Sequence, residues 1–358
     1  MQSIPKGEEL NDGPYGMGVT IKEVAKEAGV SIATVSRVFN DSGPVNDDTR
    51  KKIMAVARKL RYTPHGGARS LIMAKTNTLG VLLPDLYGEF FSEVIRGVDQ
   101  AAREAGYHVL LSSSHNKAEE IETAMRAMRG RVDGLIVMYP DIDARILTSN
   151  LSDSMPLVLL NCDVAGDDFV SINIDNYGGA FAMVQHLIGT GHRRIAMIKG
   201  APNNFDAAER LRGYRAAMVE SGAEWSEQLE RDGDFTEASG FSAAEALLDM
   251  DPRPTAIFAA NDAAAIGALS AVRQRGLHVP TDMAIAGFDD IPMAGYINPP
   301  LTSVHVPIHD LGGRAISRLI EAVTGPGNGK GQKELLPTTL VIRDSTVGPK
   351  HVSNATIT

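Results

Sequence analysis

Residues 19–40 read VTIKEVAKEAGVSIATVSRVFN, and the spacing of apolar residues in this stretch decides how the N-terminal part of the chain folds. Thr20 is placed to cap a first helix whose inward face is Ile21, Val24, Ala25 and Ala28, and Gly29 supplies the permissive backbone that ends it. Ser31 then caps a second helix. Its Val35 and Val38 point inward and leave Ile32, Ala33, Thr34, Ser36 and Arg37 on the outer side. Two short helices joined by a glycine-containing turn, the second with a small-residue face and one arginine, form a pair whose second member is sized for the major groove of DNA. A third helix over 47–60 turns Ile53, Val56, Ala57 and Leu60 to one side and carries Arg50, Lys51, Lys52, Arg58 and Lys59 elsewhere.

Three packed helices with a solvated basic face would show the same periodicity, so the charge distribution arbitrates. Residues 19–76 hold eleven Lys or Arg against five Asp or Glu, a net of +6, whereas the 358-residue chain nets −9 and residues 77–358 alone net −13. A basic head on an acidic body is the asymmetry expected when only the head meets phosphate.

Thr49-Arg50, Tyr62-Thr63-Pro64 and Ala68-Arg69-Ser70-Leu71 extend the pattern, and together with residues 19–40 they resemble the head and hinge of the lactose-repressor (LacI/GalR) family. The resemblance continues through the body as far as Arg343. It implies a dimeric transcription factor that reads a palindromic operator on double-stranded DNA and is switched by a small ligand. Ile32, Ala33 and Arg37 match the family's base readers; an arginine there can fork onto guanine O6 and N7 while the apolar pair touches thymine methyls. Thr20, Ser31, Thr34, Ser36, Asn40 and Thr49 match positions that hold phosphate and orient the head without reading sequence. Leu71 matches the leucine that wedges into the central base step from the minor groove, with Ala68 packed beside it. The chain departs from the family at His65-Gly66-Gly67. Two glycines weaken a helix by roughly 1 kcal/mol each relative to alanine, which predicts a hinge that is unfolded off DNA and orders on the operator. A plain flexible linker is the other reading of those glycines.

Beyond the hinge, apolar runs alternate with amphipathic stretches. Strands are expected at 79–83, 107–111, 132–138, 157–160, 194–198, 255–258 and 283–288, and helices at 90–105, 119–129, 177–189, 206–221, 238–249, 262–275 and 311–324. Strands separated by single helices imply parallel sheets covered on both faces. About 280 residues favour two such sheets over one. The resemblance sharpens the fold class to an all-α helix-turn-helix DNA-binding head and hinge, followed by an α/β periplasmic-binding-protein-like body of two Rossmann-like subdomains. The divisions expected are a disordered extension (1–18), the head (19–64), the hinge (65–78), the body (79–346) and a tail (347–358). Within the body, one subdomain takes 79–174 and 305–333 and the other 175–304 and 334–346.

Open parallel sheets bind ligands beyond the carboxyl ends of their strands, so a facing pair makes a cleft. The strand ends carry Asp85, Tyr87, Phe90 and Phe91, then Asn203, Asn204, Asp206 and Arg210, then Phe235, Asn261, Asp262, Asp289 and Asp290. By family position Arg210 and Asp289 lead, followed by Asp206, Phe235 and Asn261. A five-donor guanidinium facing a carboxylate can grip vicinal hydroxyls while an aromatic ring covers the apolar face of a sugar. A sugar is therefore the leading effector and no cofactor is expected. A purine stacked on Phe90, Phe91 or Phe235 stays open, as does a structural ion pair between Arg210 and Asp289 with the phenylalanines in the core.

Enzyme motifs do not fit. The loop 325–331 lacks phosphate-loop spacing, and Pro307 between His305 and His309 removes the helical geometry of a metal-binding pair. The single Cys162 sits in an apolar run, permits no internal disulfide and fits a reducing cytoplasm. Residues 1–17 have no apolar core, so neither a secretory signal nor a membrane anchor is expected there. A palindromic site requires two-fold symmetry. The helix from Phe90, with Val94, Ile95, Val98 and Ala101, is the family-analogous dimer face, unless those residues pack on the chain's own sheet. The tail has no leucine heptads, so a homodimer is expected.

Overall fold

The computed structural model describes residues 19–40, 43–62, 75–115, 117–139, 155–162, 169–325 and 331–347, and the chain divides between Thr76 and Asn77 into two compact units. The first unit holds α1 (Ile21–Ala28), α2 (Ile32–Asn40) and α3 (Asp47–Lys59). Val24, Ala25, Ala28, Val35, Val38, Ile53 and Ala57 close its small core. Local chemistry sets the helix ends. The Thr20 N–H donates to Glu23 Oε2 (2.7 Å), Gly29 adopts a left-handed φ of +65°, Thr34 N–H donates to Ser31 Oγ (3.1 Å), and Asp48 N–H donates to Asn46 Oδ1 (2.8 Å). Ala68 and Leu71, with Gly66 and Gly67, lie outside the described residues, as does the 1–18 extension.

Among the described residues the second unit forms two six-stranded sheets. The first is parallel throughout and orders β11 (Lys333–Leu336), β5 (Val170–Ile174), β4 (Leu157–Leu160), β3 (Gly134–Met138), β1 (Thr78–Leu83) and β2 (His108–Ser113). The second orders β12 (Thr339–Val341), β10 (Thr302–His305), β9 (Ala284–Asp289), β8 (Ala256–Ala259), β6 (Ile195–Ile198) and β7 (Glu230–Arg231), parallel except for β12. Every residue of β3, β4, β6, β8 and β9 is buried, the signature of parallel strands covered on both faces. Strand β11 pairs with β5 in the first sheet, so the last crossing follows Leu336 and corrects the division expected after 333. His305 likewise still belongs to the second sheet, where it pairs with Asp289.

Helices of the body pack in close pairs: α4 (Glu89–Glu104) with α10 (Ile308–Thr324), α6 (Asn176–Gly189) with α7 (Phe205–Glu220), and α8 (Glu237–Leu248) with α9 (Asp262–Gln274). A further helix, α5 (Ala118–Met128), packs against β1 and β2. A Cβ on Gly97 would overlap the His309 carbonyl and one on Gly312 the Val94 carbonyl, so α4 and α10 touch backbone to backbone. This contact takes two residues out of the expected dimer face: Val94 and Val98 are fully buried inside their own chain, whereas Ile95 and Ala101 are half-buried and keep part of their surface open. No helix among the described residues is long and apolar enough to cross a membrane.

Candidate ligand cleft and DNA-reading face

Helix α7 begins where Asn204 Oδ1 accepts the Ala207 N–H (2.9 Å), which sets Asp206 in its first turn and Arg210 one turn later on the same side. Both side chains are buried, Arg210 only 3% exposed. The guanidinium reaches four neighbours. Its Nε donates to Asn176 Oδ1 (2.8 Å), Nη1 donates to the Ala260 carbonyl (2.5 Å), Nη2 lies 3.1 Å from Asp289 Oδ1, and its plane sits 3.8 Å from the centroid of the Phe288 ring. Asp206 accepts from Asn176 (2.8 Å) and, across to the first sheet, from Asn161 at the end of β4 (3.0 Å). Each contributor sits at a strand's carboxyl end or at the start of the helix that follows, the place where open parallel sheets bind ligands.

Burial pushes both Asp206 and Asp289 up to about 6, although Arg210 pulls each the other way. Two carboxyls share one cation in a dry setting, and the Asp206 charge further raises Asp289. Phe235 flanks the cluster, its ring centroid 5.8 Å from the guanidinium carbon; it holds a φ of +71°, and its carbonyl accepts from Asn261 Nδ2 (3.0 Å). Asn261 also caps α9 through the Ala264 N–H (3.0 Å).

The sequence-derived set thus divides. Asp206, Arg210, Phe235, Asn261 and Asp289 come together. Asp85 is exposed and turns its carboxylate onto the N–H groups of Leu86 and Tyr87, while Phe90 and Phe91 meet edge-on at 5.4 Å and pack against the core. Among the described residues these three share no hydrogen bond, ion pair or ring contact with the Arg210 cluster. Asn161, Asn176 and Phe288 belong to the cluster and were missed. Asn161 was findable, being the first polar residue after the apolar run 157–160; its Oδ1 is buried with no hydrogen-bond partner among the described residues. Nothing in the local pattern marks Asn176.

On the head, Ile32 (46% exposed), Ala33 and Arg37 stand out from α2, while Thr34 and Ser36 are half-buried beside them. An exposed isoleucine on a short helix is an apolar surface awaiting a partner. Several hydroxyls expected at phosphate are already oriented: Thr20 Oγ1 donates to Glu23 Oε2 (2.9 Å), Ser31 and Thr34 hydroxyls lie 2.8 Å apart, and Asn40 Nδ2 donates to Ser36 Oγ (3.1 Å). Thr49 is half-buried near the start of α3.

A helix-turn-helix head with an exposed reading face, attached to a two-sheet body with a polar cluster between strand ends, defines the class of ligand-responsive DNA-binding regulators. Residues 20–65 match the family described as bacterial regulatory proteins, lacI family, and residues 184–346 match the periplasmic binding protein-like domain. The chain is 37% identical over 305 residues to catabolite control protein A of Priestia megaterium, covering 85% of this chain and 92% of that one. It is 36% identical over 337 residues to the HTH-type transcriptional repressor PurR of Erwinia tasmaniensis, with coverages of 92% and 98%. The crystal structure of a lac repressor dimer bound to operator and the anti-inducer ONPF superposes with a TM-score of 0.83 at 31% identity, covering 92% of this chain and 99% of that one. The chain belongs to the LacI family of bacterial transcriptional regulators.

Proposed function

We propose that this regulator binds a two-fold-symmetric operator as a homodimer in the cytoplasm and changes its grip on DNA when a sugar enters the cleft between the two sheets. The observation that carries the sugar is the buried Arg210 guanidinium flanked by the Asp206 and Asp289 carboxyls. Ionised carboxylates accept from vicinal hydroxyls, the guanidinium donates to them, and the half-buried Phe235 ring covers an apolar sugar face. Asn161 Oδ1 adds an acceptor from the first sheet. A purine could stack on the same Phe235 ring, so the sugar is preferred on the donors and acceptors of Asp206, Arg210, Asp289 and Asn161, which suit several hydroxyls. The chemistry needs no cofactor, because the effector leaves unchanged.

Arg37, with Ile32 and Ala33, reads base edges; Thr20, Ser31, Thr34, Ser36, Asn40 and Thr49 hold phosphate; and Leu71 with Ala68 forms the wedge. A ligand held by Asp206 and Arg210 from one sheet and Asn161 from the other favours one relative placement of the two halves. Operator and effector then alter each other's affinity equally, typically by 1–3 kcal/mol of coupling. A thermal-shift screen with D-ribose, D-glucose, D-galactose, cellobiose, guanine and hypoxanthine tests the ligand class. The expected result is a raised melting temperature with a sugar that vanishes in Asp206→Asn. Stabilisation by the purines alone would reject the sugar.

A further inference from the structure

Asp289 and Asp290 are consecutive non-glycine residues at φ +107° and +55°, a strained pair that only its surroundings can hold. Those surroundings centre on Asp290, which the ligand cleft does not use. Its N–H donates to Ser303 Oγ (3.0 Å), and that hydroxyl donates to the fully buried Asp262 (2.6 Å), whose second oxygen accepts the Ile291 N–H (2.9 Å). The Asp290 carboxylate has two partners: His305 Nδ1 at 2.9 Å and the Arg343 guanidinium Nη2 at 2.7 Å. Because a carboxylate only accepts, the imidazole Nδ1 carries the hydrogen.

His305 and Arg343 lie on different passes of the chain between the sheets. His305 ends β10, from which the chain leaves the second sheet for α10, the helix packed against α4. Arg343 follows β12, by which the chain returns from β11 of the first sheet, and it also donates to the Leu301 carbonyl (2.6 Å). The Val306 N–H, on the outgoing pass, donates to the Asp289 carbonyl (3.2 Å).

We infer that Asp290 is a positioning residue: its carboxylate ties both crossing passes to the strained loop that presents Asp289, so that a shift of the passes re-seats the ligand-facing carboxyl. The inference rests on the reading of Asp289 as a ligand contact, but its mechanical part is tested without an effector. Amide hydrogen exchange by mass spectrometry is compared for the full-length protein, Asp290→Asn, His305→Ala and His305→Asn. Asparagine at 305 keeps a donor where Nδ1 stood. Exchange is expected to quicken roughly tenfold in 286–291, 301–308 and 339–343 together for Asp290→Asn and His305→Ala, with unchanged melting temperature, and to return near the parent's for His305→Asn. Faster exchange confined to 286–291, or His305→Asn as fast as His305→Ala, overturns it. Should Asp290→Asn not fold, the two His305 variants decide. Failure here leaves the ligand reading standing, whereas an Asp289→Ala protein that still responds to effector overturns that reading itself.

Discussion

Arg210 is the residue on which the body's chemistry turns, because it neutralises Asp289 and Asp206, fills the acceptors on Asn176 and Ala260, and covers Phe288. Removing it leaves two buried carboxyls without their cation, a defect of about 3–5 kcal/mol. Urea unfolding of Arg210→Ala at pH 7.5 is expected to show a loss of that size, and a smaller one at pH 5, where the carboxyls take up protons. Part of the parent's pH dependence follows from the same pair, with Asp262, which burial also pushes well up, acting in the same direction. Asp206 and Asp289 rise from an ordinary 3.8 to about 6 on folding, so the folded state binds more protons than the unfolded one between those values. Their joint contribution to stability therefore falls as pH rises from about 4 to about 6, and Asp289→Asn flattens that slope. On the head, Arg37→Ala should lower specific operator affinity by about 1–3 kcal/mol while retaining salt-dependent nonspecific binding. An unchanged preference for operator over scrambled DNA in competition assays would remove Arg37 from the reading set.

Among elements, the helix pairs carry the most testable packing. Gly97 and Gly312 let α4 and α10 meet backbone to backbone, and Gly240 and Gly267 do the same for α8 and α9. On an isolated helix Gly→Ala stabilises by up to about 1 kcal/mol. At Gly97 or Gly312 the added carbon meets a carbonyl oxygen in a neighbouring helix, so the sign reverses and a loss of about 1–3 kcal/mol is expected in thermal or urea unfolding. The long apolar periodicities of these helices were readable, but which faces met was not. The run Val94, Ile95, Val98 and Ala101 looks alike whether it meets a second subunit or α10, and for Val94 and Val98 only the glycine opposite, more than two hundred residues away, decides. Short strands β10, β11 and β12 were also illegible, since their apolar residues are few and their stability comes from neighbours in the sheet. Strand β5 was missed because the polar residues of VSINI interrupt its apolar run, although four of its five positions are buried.

At the scale of the whole molecule, charge marked the division of labour in the sequence: a head of net +6 suited to phosphate on an acidic remainder. The strand-end rule gave a set wider than the cluster, since it also took in Asp85, Phe90 and Phe91, and the family resemblance narrowed it to Asp206, Arg210, Phe235, Asn261 and Asp289. Asn176 and the carbonyl of Ala260 escaped, since a backbone acceptor and an asparagine inside a helical start carry no pattern. Occupancy of the Arg210 cluster should be coupled to operator binding. The direct measurement is operator affinity by fluorescence anisotropy, on DNA from upstream of the protein's own gene, titrated with the same sugars and purines for the parent and for Asp289→Ala. One sugar is expected to shift the parent's operator affinity by about tenfold, roughly 1.4 kcal/mol, while Asp289→Ala binds operator normally and no longer responds. A variant that responds like the parent, or a parent whose affinity no compound moves, would contradict that coupling.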